Sequence, residues 1–189
     1  MLINHNREKL KNAILYFATK VNNCGKVKLC KLLYLLDFYH FKETGYNVTG
    51  LDYHAWEMGP VPKTAYDELN DPSSDIHKII NIVSLSTSYD NDLELIQPVQ
   101  GIEFSSLHFS RRHLRLLEEL ATKYKDKTAR EMITETHEVG SPWHTVYRVE
   151  SSPYSVIPYS YILADLPEED KEDILERARE HQKMEELFS

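Results

Sequence analysis

The 189-residue chain carries 30 acidic and 22 basic side chains, a net charge of −8, and 41% hydrophobic residues. That is enough apolar content for one domain with a true core. It excludes a membrane-spanning helix, which needs about 20 consecutive apolar residues. The longest apolar run, around Leu29 to Phe41, is broken by Lys31, Asp37 and His40. The stretch Met1 to Asn6 lacks the charged and apolar regions of a signal peptide, so a cytoplasmic location is expected. Cys24 and Cys30 are too few for a disulfide framework and too oddly spaced for a zinc knuckle; two buried, reduced thiols are expected.

The charge is unevenly spread. Up to Lys31 seven bases face the single acid Glu8, whereas from Asp165 onward ten acids face four bases. Such end-to-end polarity can steer charged partners, although solvated helix faces produce it too.

Along the chain the apolar period is mostly helical. Leu10, Ile14, Phe17, Ala18 and Val21 define an amphipathic helix over Arg7 to Val21, ended by Asn22, Asn23 and Gly25. In the next helix Leu29, Leu32, Leu33 and Leu36 share one side, and Tyr34, Leu35, Phe38 and Tyr39 fill most of the rest. A helix apolar nearly all round belongs at the centre of a domain. After Gly45, Asn47 to Gly50 reads as a turn, and Tyr53, Ala55 and Trp56 as a short extended piece. Gly59-Pro60 predicts another turn, because the residue before proline avoids the helical region, and Pro62 suits the start of a short helix through Leu69.

Ile79–Leu85 and Leu93–Ile96 are rich in branched residues and predict a small hairpin with a long polar loop, Ser84–Asp92. Ser110 is placed as an N-cap for a helix carrying Leu114, Leu117, Leu120, Ala121 and Tyr124. Thr128 and Glu131 fit a capping box, and Ser141-Pro142 can open a helix holding Trp143, Val146 and Tyr147. Tyr154–Tyr161, with Pro158 inside it and Pro153 just before it, is extended at most, at a sheet edge. Pro167 to about Leu187 forms a final acidic helix with a thin stripe of Ile174, Ala178, Met184 and Phe188, interrupted by His181, and is expected on the surface.

No catalytic signature accompanies these elements. There is no dinucleotide fingerprint, no P-loop, no His-Glu-x-x-His and no nucleophile elbow. Asp37 and His40 share a helix face but lack a third ligand, so they read as a polar pair beside the core; no metal, cofactor or catalytic residue is assigned. Lys26, Lys28 and Lys31, extended by Lys9, Lys11 and Lys20, could track phosphates, which makes a nucleic-acid-binding regulator the alternative function. The overall acidity, and the lack of interleaved arginines or aromatics, weigh against tight binding.

The run Lys28-Leu-Cys-Lys-Leu-Leu-Tyr-Leu-Leu-Asp-Phe-Tyr-His40, then Gly45, Thr49-Gly50, Tyr53-His-Ala-Trp56 and Gly59-Pro60-Val61, closely resembles the Panacea domain, also called the SocA-like antitoxin domain. His137 followed by Pro142-Trp143 is a second, weaker match. The resemblance is dense over residues 26–70, looser to about 165, and does not reach the last helix. It implies a type II antitoxin, or a related phage or mobile-element protein, that neutralises a toxin by direct contact without catalysis of its own. Some relatives also deliver the toxin to a bacterial protease, so a protease complex is a second implied partner.

The signature residues Lys31, Leu32, Leu33, Tyr34, Gly59, Pro60, Val61, His137 and Trp143 are expected to be mostly structural. Trp56, Glu57, Met58 and Tyr66 sit on or beside the turn, where a large aromatic and a flexible thioether can anchor a partner. The acidic terminal helix offers a second surface, for a basic toxin. The expected architecture is mainly α (α+β): a helical domain over residues 1–165 around a buried central helix, with a small β-hairpin and an acidic helix at 166–189.

Overall fold

The computed structural model describes residues 5–85 and 93–188. Residues 86–92 of the predicted hairpin loop Ser84–Asp92 and the start Met1–Asn4 lie outside the described residues, as do the side chains of Leu93, Glu185 and Phe188.

Two long helices begin the chain, α1 (His5–Lys20) and α2 (Lys26–Thr44). The hairpin strands β1 (His54–Trp56) and β2 (Gly59–Val61) follow, then α3 (Lys63–Asn70) and a second hairpin, β3 (Ile80–Leu85) and β4 (Leu93–Pro98). Helices α4 (Arg111–Lys123), α5 (Ala129–Thr136), α6 (Pro142–His144, prolonged by a π-turn over Thr145–Val149) and α7 (Glu168–Phe188) complete a mainly α, α+β fold.

α2 is the axis of the domain, touching α1, α3, α4, α5, α7, β2 and β4. Leu29, Leu32, Leu33, Leu36 and Phe38 are fully buried on it. At about 2 kcal/mol for each such side chain removed from water, this one helix supplies a large share of the core's apolar stabilisation. Its carbonyl end stops at Gly45, in the left-handed region at φ +90°. The Asp37 carboxylate then shapes the next turn, accepting hydrogen bonds from Val48 N (2.8 Å), Thr49 N (2.9 Å), Thr49 Oγ1 (2.5 Å) and Tyr53 Oη (2.7 Å). Burial pushes this carboxyl up from its ordinary range, and the four donors pull it back. His40 instead bonds the Tyr46 carbonyl at 2.7 Å, so Asp37 and His40 serve separate partners.

The predicted caps are present. Ser110 Oγ accepts from His113 N at 3.2 Å, and Thr128 with Glu131 closes a reciprocal box at the start of α5. The Gly59-Pro60 turn is displaced: the two-residue loop is Glu57–Met58, and Gly59 and Pro60 belong to β2. Pro60 is tolerated there because of register. Its partner Ala55 spends its own backbone groups on the other side, with Ser155 O (2.9 Å) and Tyr154 N (2.8 Å), so the missing proline N–H falls at a non-hydrogen-bonded position.

Those bonds, with Ile157 N to Tyr53 O at 2.7 Å, add Tyr154–Ile157 as a third edge beside β1. The extended piece is shorter than Tyr154–Tyr161. From Tyr159 to Leu163 the chain is a 3₁₀ turn, because the Tyr159 ring stacks on Phe38 and Phe41, at 4.4 and 5.2 Å, and draws the backbone down onto α2. α7 lies on the surface through Ile174 and Ala178, joined by Leu166 and Leu175, against Phe41 and Leu163. Met184 is exposed, so the apolar stripe ends early.

Candidate partner-binding site

Signature residues far apart in sequence meet at the β1–β2 hairpin. From α2, Lys31 Nζ donates to the Pro60 carbonyl at 2.9 Å. From α6, Trp143 Nε1 donates to the Trp56 carbonyl at 2.8 Å. Each strand is therefore tied from behind by one buried side chain. His137, the residue after α5, lies flat on Trp143 (centroids 3.6 Å apart, planes within 3°), and Tyr147 stacks in turn on the indole at 4.7 Å. Gly59 (φ +99°) closes the cluster: a Cβ there would meet Lys31 Nζ at 2.8 Å and His137 Nε2 at 3.1 Å. Only glycine permits both that backbone conformation and that approach.

The electrostatics of the cluster are those of burial. Lys31 is 1% exposed, and loss of water lowers its ammonium from the ordinary lysine range to about 8. Desolvation, then the charges of Lys31 and Arg148, lower His137 to about 4, so the ring is neutral at physiological pH. Leu32, Leu33 and Tyr34 are buried in the core behind the cluster, and Val61 is buried at the end of β2.

In front of this support stand the residues read as partner-binding. Trp56 is half-buried, its ring edge-on to Tyr66 at 5.4 Å. Glu57 and Met58 form the loop, with Met58 54% exposed. Two residues join them that the sequence did not nominate: Tyr154, 6.3 Å from Trp56 and 65% exposed, and Val156, paired with His54. Only the sheet-edge reading of that segment pointed to them. Their place follows from pairing across nearly 100 residues, which carries no local signal.

Two lysines of the predicted patch, Lys28 and Lys31, are buried. Lys28 is 2% exposed and donates to the Asn22 carbonyl at 2.7 Å, joining α2 to the end of α1. Lys31 is in the hairpin cluster. Lys26 pairs with Glu94 at 2.8 Å and bonds Asn70 at 2.7 Å, while Lys11 lies 3.3 Å from Asp75. Burial pushes Cys24 up to about 12 and Cys30 to about 11, which keeps both as unreactive thiols. Among the described residues no group of three or more His, Cys, Asp or Glu is placed to hold a metal, and no helix is long and apolar enough to cross a membrane.

A family model described as "Antitoxin SocA-like, Panacea domain" matches residues 29–144, more than half of the chain. That span includes both hairpin ties and the His137–Trp143 stack, and it ends before Tyr154 and α7. No curated protein and no solved structure matches the chain. With its signature residues converging on one hairpin and the family model spanning them, the chain belongs to the SocA-like antitoxin, Panacea domain family.

Proposed function

We propose that this protein is an antitoxin that neutralises a cognate protein toxin by direct contact, with no covalent chemistry, through the face made by Trp56, Glu57, Met58, Tyr66 and Tyr154. The observation that carries the reading is the double tie of the hairpin: Lys31 and Trp143, both buried, fix the backbone on either side of the loop that exposes Met58. A loop rigid before binding loses little conformational freedom on association, and a half-buried tryptophan beside an exposed thioether supplies the apolar anchor on which binding energy concentrates. The acidic α7 is a second contact, complementary to a basic toxin.

The test is rescue of cells expressing the cognate toxin. Trp56→Ala with Met58→Ala removes the anchors without touching either tie. A hot-spot tryptophan contributes about 2–4 kcal/mol, so affinity should fall roughly 30- to 1,000-fold and rescue should fail while the variant stays folded. A folded double variant that rescues fully overturns the assignment of the face.

A further inference from the structure

The small sheet at the hairpin has one closed edge and one open edge. On the β2 side Gly59, Pro60 and Val61 are buried, Pro60 has no N–H to offer, and its carbonyl is taken by Lys31 Nζ at 2.9 Å. On the other side runs Tyr154–Ile157. His54 and Val156 face each other there as a non-hydrogen-bonded pair, because the flanking bonds are Ala55 N to Ser155 O (2.9 Å) and Ile157 N to Tyr53 O (2.7 Å). The N–H and C=O of Val156 therefore point away from β1. Val156 is 47% exposed, and neither group enters a backbone hydrogen bond among the described residues.

The chain reaches this edge through a strained turn. Ser155 N bonds Ser152 O at 3.3 Å, with Pro153 second in the turn and Tyr154 third, at φ +67°. Glycine is the preferred residue at that third place, because a side chain there is crowded. Tyr154 N and Ser155 O both bond Ala55, so two residues face one in a β-bulge whose left-handed first residue is ordinarily glycine too. The tyrosine is 65% exposed, so packing inside the domain does not offset its strain. A strained, outward aromatic stands beside an unpaired strand edge, and an extended backbone satisfies both groups of Val156 at once.

We infer that an extended segment of the protein partner adds to this edge as a further antiparallel strand, one of its residues exchanging both backbone hydrogen bonds with Val156. The inference rests on the proposed reading that the chain binds a protein, and it names the way of binding: the added strand lies beside Tyr154 while Trp56 and Met58 take the apolar anchor. The bulge bounds the edge at one end, and Pro158, which has no N–H and whose carbonyl accepts from Tyr161 N at 3.1 Å, bounds it at the other. One register fits between them. The partner residue opposite Val156 shares the sheet face of Val156, His54 and Trp56, which favours a branched or aromatic side chain. Two hydrogen bonds are too few to join two copies of the chain by themselves; next to the anchors they fix orientation.

Val156→Pro tests this, since it removes the outward N–H and leaves both flanking bonds to β1 in place. The folded variant should bind the cognate toxin about 10-fold more weakly, while Val156→Thr, which keeps the N–H and a branched side chain, should bind within about 2-fold of wild type. In the wild-type chain the Val156 amide should exchange faster than that of Ile157, and in the complex it should slow by roughly 100-fold. That amide measurement decides the question if Val156→Pro does not fold. Unchanged affinity in a folded Val156→Pro, or a Val156 amide that exchanges in the complex at its free rate, overturns the added strand. A large loss in Trp56→Ala alongside either result leaves the hairpin reading standing. Self-association of the chain alone, abolished by Val156→Pro, assigns the edge to a second copy and also overturns the inference. If the toxin does not bind the wild-type chain, both readings fall.

Discussion

Lys31 shows how little a residue's type reveals about its task. In the sequence it belongs to a basic stretch that suits nucleic acid; in the fold it is buried, with its ammonium on the Pro60 carbonyl. An ammonium near 8 in the native state and in the ordinary range when unfolded means that the unfolded chain holds more protons between those values. Stability from this group is therefore present above pH 10.5 and lost as pH falls to 8, by about 3 kcal/mol. Urea unfolding of wild type and Lys31→Met across that interval should show the difference growing with pH in favour of wild type. A constant difference contradicts the burial of a charged Lys31. His113 behaves the same way at acid pH: burial first, then neighbouring His40, lowers it to about 4, and its Nδ1 accepts from Ser110 N at 3.2 Å to cap α4. Stability from this ring is present above pH 6.5 and lost as pH falls to 4. His113→Gln, which keeps an acceptor for the cap, should flatten that part of the wild-type acid profile. Both effects depend on burial, and a sequence gives a titratable residue no burial of its own.

At the scale of elements, legibility follows range. The axis helix α2 is readable because its apolar residues leave no polar face, and the caps at Ser110 and Thr128 because three-residue spacing is a local geometry. The turn next to Trp56 is misplaced by two residues, since proline usually ends a strand and here fills a position whose N–H has no partner to lose. The Tyr154–Ile157 edge is only half legible, as strand pairing over such a separation is decided by tertiary packing. The seat of α7 depends on one position. A Cβ on Gly45 would meet Ile174 O at 2.5 Å and Ala178 N at 2.9 Å, both backbone atoms of α7, at a φ that side chains resist. Gly45→Ala should raise hydrogen exchange across residues 168–181 and leave α2 protected, at a cost of about 1–2 kcal/mol from the backbone conformation and more from the clash. Uniform destabilisation of the whole chain would show instead that α7 and the domain unfold together.

For the molecule as a whole, the division of labour is between a support and a surface. Buried signature residues from α2, α6 and the residue after α5 hold the hairpin whose exposed residues make the proposed face. The signature residues Lys31, Gly59, Pro60, His137 and Trp143 touch one another, while Met58 and Tyr154 look outward. The most direct measurement is hydrogen exchange of the chain alone and in complex with its toxin. The account predicts new protection over residues 54–61 and 152–157, lost in Trp56→Ala. A complex that leaves those segments exchanging at their free rates, protected elsewhere on the surface, would contradict it.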